Sequence, residues 1–208
     1  MTGDPYAQFP AGFFARADES TDATFYQPER LVTHIDDRAI AAVGALYDEL
    51  GLEGRVVDLM SSWVSHFVEA PEELVVLGMN AGELDANPMA AARVVHDLNS
   101  DPQLPFGNDR FDAATCCVSI DYLVRPIEVV AEVARVVRSG GHLVITFSNR
   151  CFPTKAIRGW LALDDERRCW LVAEYIRLAG GFDEPRTMLR TPPNTRGDPL
   201  YAVVATVT

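Results

Sequence analysis

Residues 55–67 read RVVDLMSSWVSHF. A short apolar run, Val56-Val57, ends on Asp58. Met60-Ser61-Ser62 follows as a tight segment, and a helix is expected over residues 62–70. A strand that stops on an acid and turns at once into a helix builds one side of a nucleotide-like crevice. The strand's carboxyl end and the helix N-terminus face the same space. Such turns ordinarily use glycine, which takes positive φ and lets the backbone approach a ligand. Here Met, Ser, Ser and Trp stand in those places. A non-glycine residue forced to positive φ there would cost about 1–2 kcal/mol.

Outward from this stretch the chain alternates strand and helix. Strands are expected at 56–59, 74–79, 92–98, 111–120 and 142–147, the last preceded by a Ser139-Gly140-Gly141 turn. Short helical pieces fall at 81–86 and 126–137. Near-continuous apolar strands with helical crossovers imply an α/β fold with a mostly parallel sheet covered on both faces. Residues 148–179 read as helical. Two final strands, 186–190 and 200–207, flank PPNTRGDP and form an antiparallel pair. Residues 1–24 read as a loose N-terminal arm, part of which is expected to pack on the domain through the aromatics Phe9, Phe13, Phe14, Phe25 and Tyr26, and residues 25–50 as a helical cover that Asp36 or Asp37 caps and Gly51 ends. One domain accounts for 1–208.

In an open parallel sheet, ligands bind outside the carboxyl ends of the strands. Those ends carry Asp58, Met60, Ser61 and Ser62; Gly78, Met79 and Asn80; Asp97, Leu98 and Asn99; then Ser119, Ile120, Asp121 and Tyr122; and finally Ser148, Asn149 and Arg150. Polar groups at every strand end, with apolar residues along every strand, form a joint pattern more specific than any one member.

The stretches DLNSDPQLPFGNDRFDAATCCVSIDYL (97–123) and EVARVVRSGGHLVITFS (132–148) carry a resemblance. With the strand order around them, they resemble class I S-adenosylmethionine-dependent methyltransferases of the small type-11-like group. The resemblance covers roughly residues 50–150. It implies a Rossmann-like seven-stranded sandwich with an antiparallel last strand, and S-adenosyl-L-methionine as cofactor. It further implies that Asp58 orders the cofactor loop near the methionine portion. Asn80 takes the place of the acid that grips the ribose hydroxyls. Asp97 accepts from the adenine amino group, Leu98 offers its backbone N–H, and Met79 covers the adenine face. Ser119 and Ile120 line the methionine arm. The family's Gly-rich loop is replaced by MSSWV. Either the Ser61 and Ser62 hydroxyls take over some backbone contacts, or the site no longer takes the cofactor. DLMSSWVSHF and FSNRCFPTKAIRGW are similar to an atypical subgroup of methyltransferase-like proteins.

No catalytic pair is evident. Methyl transfer from a sulfonium needs proximity and orientation, and a base only when the nucleophile carries a proton. His34, Asp121, Tyr122 and Arg150 are the weak catalytic candidates. Tyr26 could stack on the cofactor or anchor the arm. Trp63 and Phe67 read as core. Lys155, Arg158 and Trp160 could border the pocket.

The chain has 208 residues and a net charge of −12. That balance argues against a nucleic-acid partner, which needs a basic face. No apolar run approaches a membrane span, and the N-terminus lacks a basic start and an apolar signal core. Four cysteines without metal-ligand spacing suggest reduced thiols and a cytoplasmic protein with no metal. The expected function is methyl transfer to a small molecule. The alternatives are a non-catalytic methyltransferase fold acting as a binding or partner protein, and an enzyme of this fold with other chemistry.

Overall fold

The computed structural model describes residues 4–193 and 196–208. Asn194 and Thr195, in the expected loop between the last two strands, lie outside the described residues. Seven strands form one sheet: β1 (Arg55–Leu59), β2 (Glu73–Gly78), β3 (Ala92–Val95), β4 (Phe111–Cys117), β5 (Val137–Phe147), β6 (Arg186–Leu189) and β7 (Tyr201–Thr206). Their order is β3-β2-β1-β4-β5-β7-β6. The first five run parallel, and β7 is antiparallel to both β5 and β6.

Alternate strand residues feed two cores. Val57 and Leu59 face a core shared with α4 (Pro126–Val136) and α6 (Asp165–Ala179); Val56 faces a core shared with α2 (Asp37–Glu49). This is the pleat acting on an apolar run. The Asp36 side chain accepts from the Ala39 N–H and so caps α2; Gly51, at φ 64°, lies just past its end. Asp36 and Asp198 also exchange backbone N–H bonds at 3.0 and 2.8 Å, tying the start of α2 to the chain before β7.

Three expectations about helices fail. Residues 62–70 form no helix, because Met60 and His66 sit at φ 53° and 58°, outside the right-handed region. The serines of that stretch bond elsewhere instead of supporting helical turns. Residues 28–35 and 148–157 are likewise not helical; only α1 (Asp22–Tyr26) and α5 (Arg158–Leu161) form nearby, before α6 begins. β3 stops at Val95 and β4 at Cys117, each earlier than its apolar pattern suggests.

From residue 4 on, the N-terminal arm is held against the domain, and the aromatics expected to pack do so. Tyr6, Phe9, Phe13 and Phe14 pack against the α4–α6 core, and Arg16 bridges to Ile157. Gly159 allows this approach: a Cβ there would meet the Phe13 ring. A polar, Gly/Pro-rich composition hides an anchor that exists only through long-range contacts.

Candidate functional site

A cavity of about 280 Å³ opens at the carboxyl ends of β1–β4. That is near the lower limit of small-molecule sites. Of the residues expected from the strand ends, Met60, Ser61, Ser62, Gly78, Met79, Asn80, Asp97, Leu98, Asn99, Ser119, Tyr122 and Arg150 line it. A smaller cavity of about 60 Å³ shares Met60, Ser61, Ser62 and Ser119, and reaches Asp58.

Asp58 does not line the main cavity. It is buried at 3% exposure and accepts from Thr115 Oγ1 and Ser61 Oγ, both at 2.7 Å. β1–β4 register sets Thr115 opposite Asp58, which delivers the first of these bonds. Burial raises its pKa, and the Ser61, Thr115 and Ser65 bonds oppose that rise. The Ser61 N–H donates to the Leu77 carbonyl at 2.8 Å, laying the loop directly over β2. A Cβ on Gly78 would collide with the Ser61 carbonyl. The missing glycine of the loop thus has a counterpart on the neighbouring strand. Asn87 holds the loop from the far side, donating to Ser62 O and Ser65 Oγ.

The serine hydroxyls are not free donors. Ser61 Oγ donates to Asp58, and Ser62 Oγ to Glu83 Oε2 at 2.7 Å. The loop therefore has no hydroxyl proton, and no Ser61 N–H, to offer an anion. Asn80 is similarly occupied. Its Oδ1 accepts from the Glu83 N–H and caps α3 (Ala81–Asp85), while Nδ2 donates to the Tyr26 and Gln27 carbonyls at 2.9 and 3.1 Å. Asp97 bonds within its own turn, accepting from the Asn99 and Ser100 N–H groups and from Ser100 Oγ. Asn99 donates to Asp22 Oδ2 and the Tyr122 carbonyl, and accepts from the Val124 N–H. Each of these side chains borders the cavity while bracing its wall.

Ile120 leaves the site. Val118, at φ 46°, turns the chain after β4, and Ile120 packs into the α4–α6 core at 2% exposure. A β-branched residue in that region is strained, and Val118 itself lines the cavity. Asp121 is also turned away and buried. Burial pushes its pKa up to about 8, and Oδ2 has no hydrogen-bond partner among the described residues. Tyr122 does line the cavity, its hydroxyl accepting from the Phe152 N–H at 2.9 Å, and burial raises its pKa. His34 lies at the rim with its ring 5.3 Å from that of Phe152. Partial burial lowers its pKa, which favours the neutral imidazole a general base requires. Arg150 lines the cavity but is paired with Asp198 at 2.7 Å.

The opposite wall was not apparent in the strand pattern. Asp22, Tyr26, Arg30 and His34 come from the N-terminal segment, and Cys151 and Phe152 from the chain after β5. Asp22 anchors that wall. It pairs with Arg16 at 2.7 Å and with Lys155 at 3.1 Å, and Lys155 has no exposed surface. Burial works against the Asp22 charge, but Arg16, Asn99 and Lys155 outweigh it and hold the pKa below its ordinary value. Lys155 and Trp160 are thus structural, and Arg158 lies on the surface. Phe67 belongs to the α2 core, whereas Trp63 stays at the surface and donates from Nε1 to the Val32 carbonyl. The sequence signals for this wall were Tyr26 and His34, expected near the pocket, and the aromatic Phe152 in an otherwise polar stretch.

Parallel strands with a cavity at their carboxyl ends and an antiparallel closing strand define a Rossmann-like α/β protein. Residues 77–145 match the family model described as "Methyltransferase domain". A search of curated proteins finds no match. Solved structures share the fold at low identity. One is a Haloferax volcanii chain described as a methyltransferase in complex with the Trm112 methyltransferase activator, with TM-score 0.57, 14% identity, and 82% and 91% of the two chains covered. Another is an S-adenosylmethionine-dependent methyltransferase from Mesorhizobium loti, with TM-score 0.54, 17% identity, and 80% and 97% covered. The cyclase SpnF aligns with TM-score 0.60, 13% identity, and 86% and 88% covered. The resemblance to class I S-adenosylmethionine-dependent methyltransferases therefore stands, in the family-model stretch and in the fold.

Proposed function

We propose that the protein is an S-adenosylmethionine-dependent methyltransferase acting on a small molecule. The observation that carries this reading is the convergence of four strand ends on one cavity. The adenine end would lie against Met79, Asp97 and Leu98, and the ribose beside Gly78 and Asn80. The methionine arm would run along Met60, Ser61, Ser62 and Ser119 toward His34 and Tyr122. The residues present fit such a cofactor with two departures. Asn80 brings no charge to the ribose, and the serine hydroxyl protons are already committed. The Ser61 N–H is committed as well, to the Leu77 carbonyl, so the acceptor lone pairs of the serines are what the loop side chains offer the ligand.

The cofactor would supply the activated methyl group. The chain would orient the acceptor and exclude water, and His34 would take a proton from the acceptor where one must leave. A second reading, a binding protein of this fold with a different ligand, is favoured by the internal saturation of Asn80. SpnF's description as a cyclase shows that the fold also accommodates chemistry other than methyl transfer.

Calorimetric titration of S-adenosylhomocysteine separates the two. The Asp97→Asn variant retains an acceptor for the Asn99 N–H but loses the charge. Under the methyltransferase reading the wild type binds in the micromolar range and Asp97→Asn weakens binding roughly tenfold, the worth of one charge-assisted bond. Absence of heat at millimolar ligand would sink the reading.

A further inference from the structure

We infer that Arg30 anchors the carboxylate of a small, flat acid in the main cavity, and that this acid is the methyl acceptor. The assignment of the acid as acceptor rests on the methyltransferase reading; the anion site itself does not.

Two arginines line the cavity. Arg150 is spent on Asp198. Arg30 has no carboxylate within ion-pair distance among the described residues. Its guanidinium instead donates to the Pro28 and Phe25 carbonyls at 3.2 and 2.8 Å. A guanidinium carries five N–H donors, so these two bonds leave it donors for a ligand. Its central carbon lies 4.7 Å from the Phe25 ring centroid and 5.7 Å from that of Phe152. Contact with the Phe25 ring and the two carbonyl bonds restrain the fork, and a restrained guanidinium can take a carboxylate through two parallel bonds.

The acids around the cavity do not neutralise this cation. Glu83 accepts the Arg30 backbone N–H and the Ser62 hydroxyl. Asp22 is matched by Arg16 and Lys155, and Asp97 is held in its own turn. A guanidinium at a cavity wall with no carboxylate in ion-pair distance among the described residues is an available anion site. The surface beside it is aromatic. Phe152 stands 5.4 Å from Phe25 and 5.9 Å from Tyr122, centroid to centroid. Such walls suit a flat apolar body attached to the carboxylate.

A ligand carboxylate could also come from the methionine portion of the cofactor, and the test distinguishes the two sources. Benzoate and its neutral isostere benzamide are titrated into protein saturated with S-adenosylhomocysteine, for the wild type and for Arg30→Gln. Thermal melting confirms that the variant is folded. The proposal expects benzoate to bind at least tenfold tighter than benzamide. It expects Arg30→Gln to remove that preference while leaving S-adenosylhomocysteine affinity within twofold, and Arg30→Lys to restore part of it. Equal binding of the two probes, or binding of neither, overturns the site. Loss of S-adenosylhomocysteine affinity in Arg30→Gln with benzoate unaffected overturns the assignment to the acceptor. If the wild type takes no S-adenosylhomocysteine, the titrations are repeated on the unliganded protein. An Arg30-dependent preference for benzoate would then sustain the anion site while the methyltransferase reading falls.

Discussion

The two walls of the cavity are built by different means. The sheet-end wall is made of residues that follow parallel strands, so backbone register delivers Asp58, Gly78 and Asp97 to one edge. The N-terminal wall has almost no register behind it. It depends on Asp22, Arg16 and Lys155, an ionic cluster joining residues far apart in sequence, and on aromatic contacts of Phe25 and Phe152. The first wall is a consequence of the fold, whereas the second has to be held against it. The difference predicts where each will give way.

The largest effect is expected in the N-terminal wall. Asp22→Ala leaves Lys155 and Arg16 buried without their shared anion. Breaking a buried pair costs about 3–5 kcal/mol, and urea unfolding should show a loss of that order. Limited proteolysis would show cleavage within residues 16–34 before the sheet is lost. A uniform loss of structure would mean that the two walls are not separable.

Gly78→Ala attacks the sheet-end wall. The added methyl has to displace the Ser61 carbonyl, and overpacking of this kind costs about 1–3 kcal/mol. Ligand affinity should fall more than stability suggests, because the displaced loop is the cavity floor. Titration of S-adenosylhomocysteine beside the unfolding curve checks both.

Asp121 lies behind the boundary between the walls and gives a pH signature. Burial raises its folded pKa to about 8, above the unfolded carboxylate value. The folded state then binds the proton that the unfolded state releases. The stability it contributes is present below the unfolded pKa and is lost as pH rises through about 8. Asp121→Asn should remove this dependence, so wild-type stability should fall relative to the variant between pH 4 and pH 9. Urea midpoints across that range are the measurement; parallel curves would show that the carboxyl does not titrate in this way.

The smallest effect concerns the loop itself. Met60 pays for its φ of 53°, and Met60→Gly relieves that strain while increasing unfolded-chain entropy. A change of less than about 1 kcal/mol is expected, with ligand binding retained.

What could be read from the sequence follows the same division. The strands were legible because apolar runs in a buried parallel sheet leave a strong pattern, and their ends located twelve cavity residues expected beforehand. The helix expected after β1 was not there: positive φ could be expected at the turn holding Met60, but nothing local announced it again at His66. Ile120 and Asp121 were misplaced because Val118 reverses the expected direction of the chain. Arg30, Glu83 and Phe152 went unnoticed as a group. Only the closed N-terminal segment brings them together, through Asn80 bonds to Tyr26 and Gln27 that sequence spacing does not encode.

The proposed function requires both walls to close on the ligand. Amide hydrogen exchange with and without S-adenosylhomocysteine tests it most directly. The account predicts new protection in two separate sets of peptides, residues 58–62, 78–80 and 97–99 on the sheet side and residues 22–34 on the N-terminal side. Protection confined to other surfaces, or no change at saturating ligand, would contradict it.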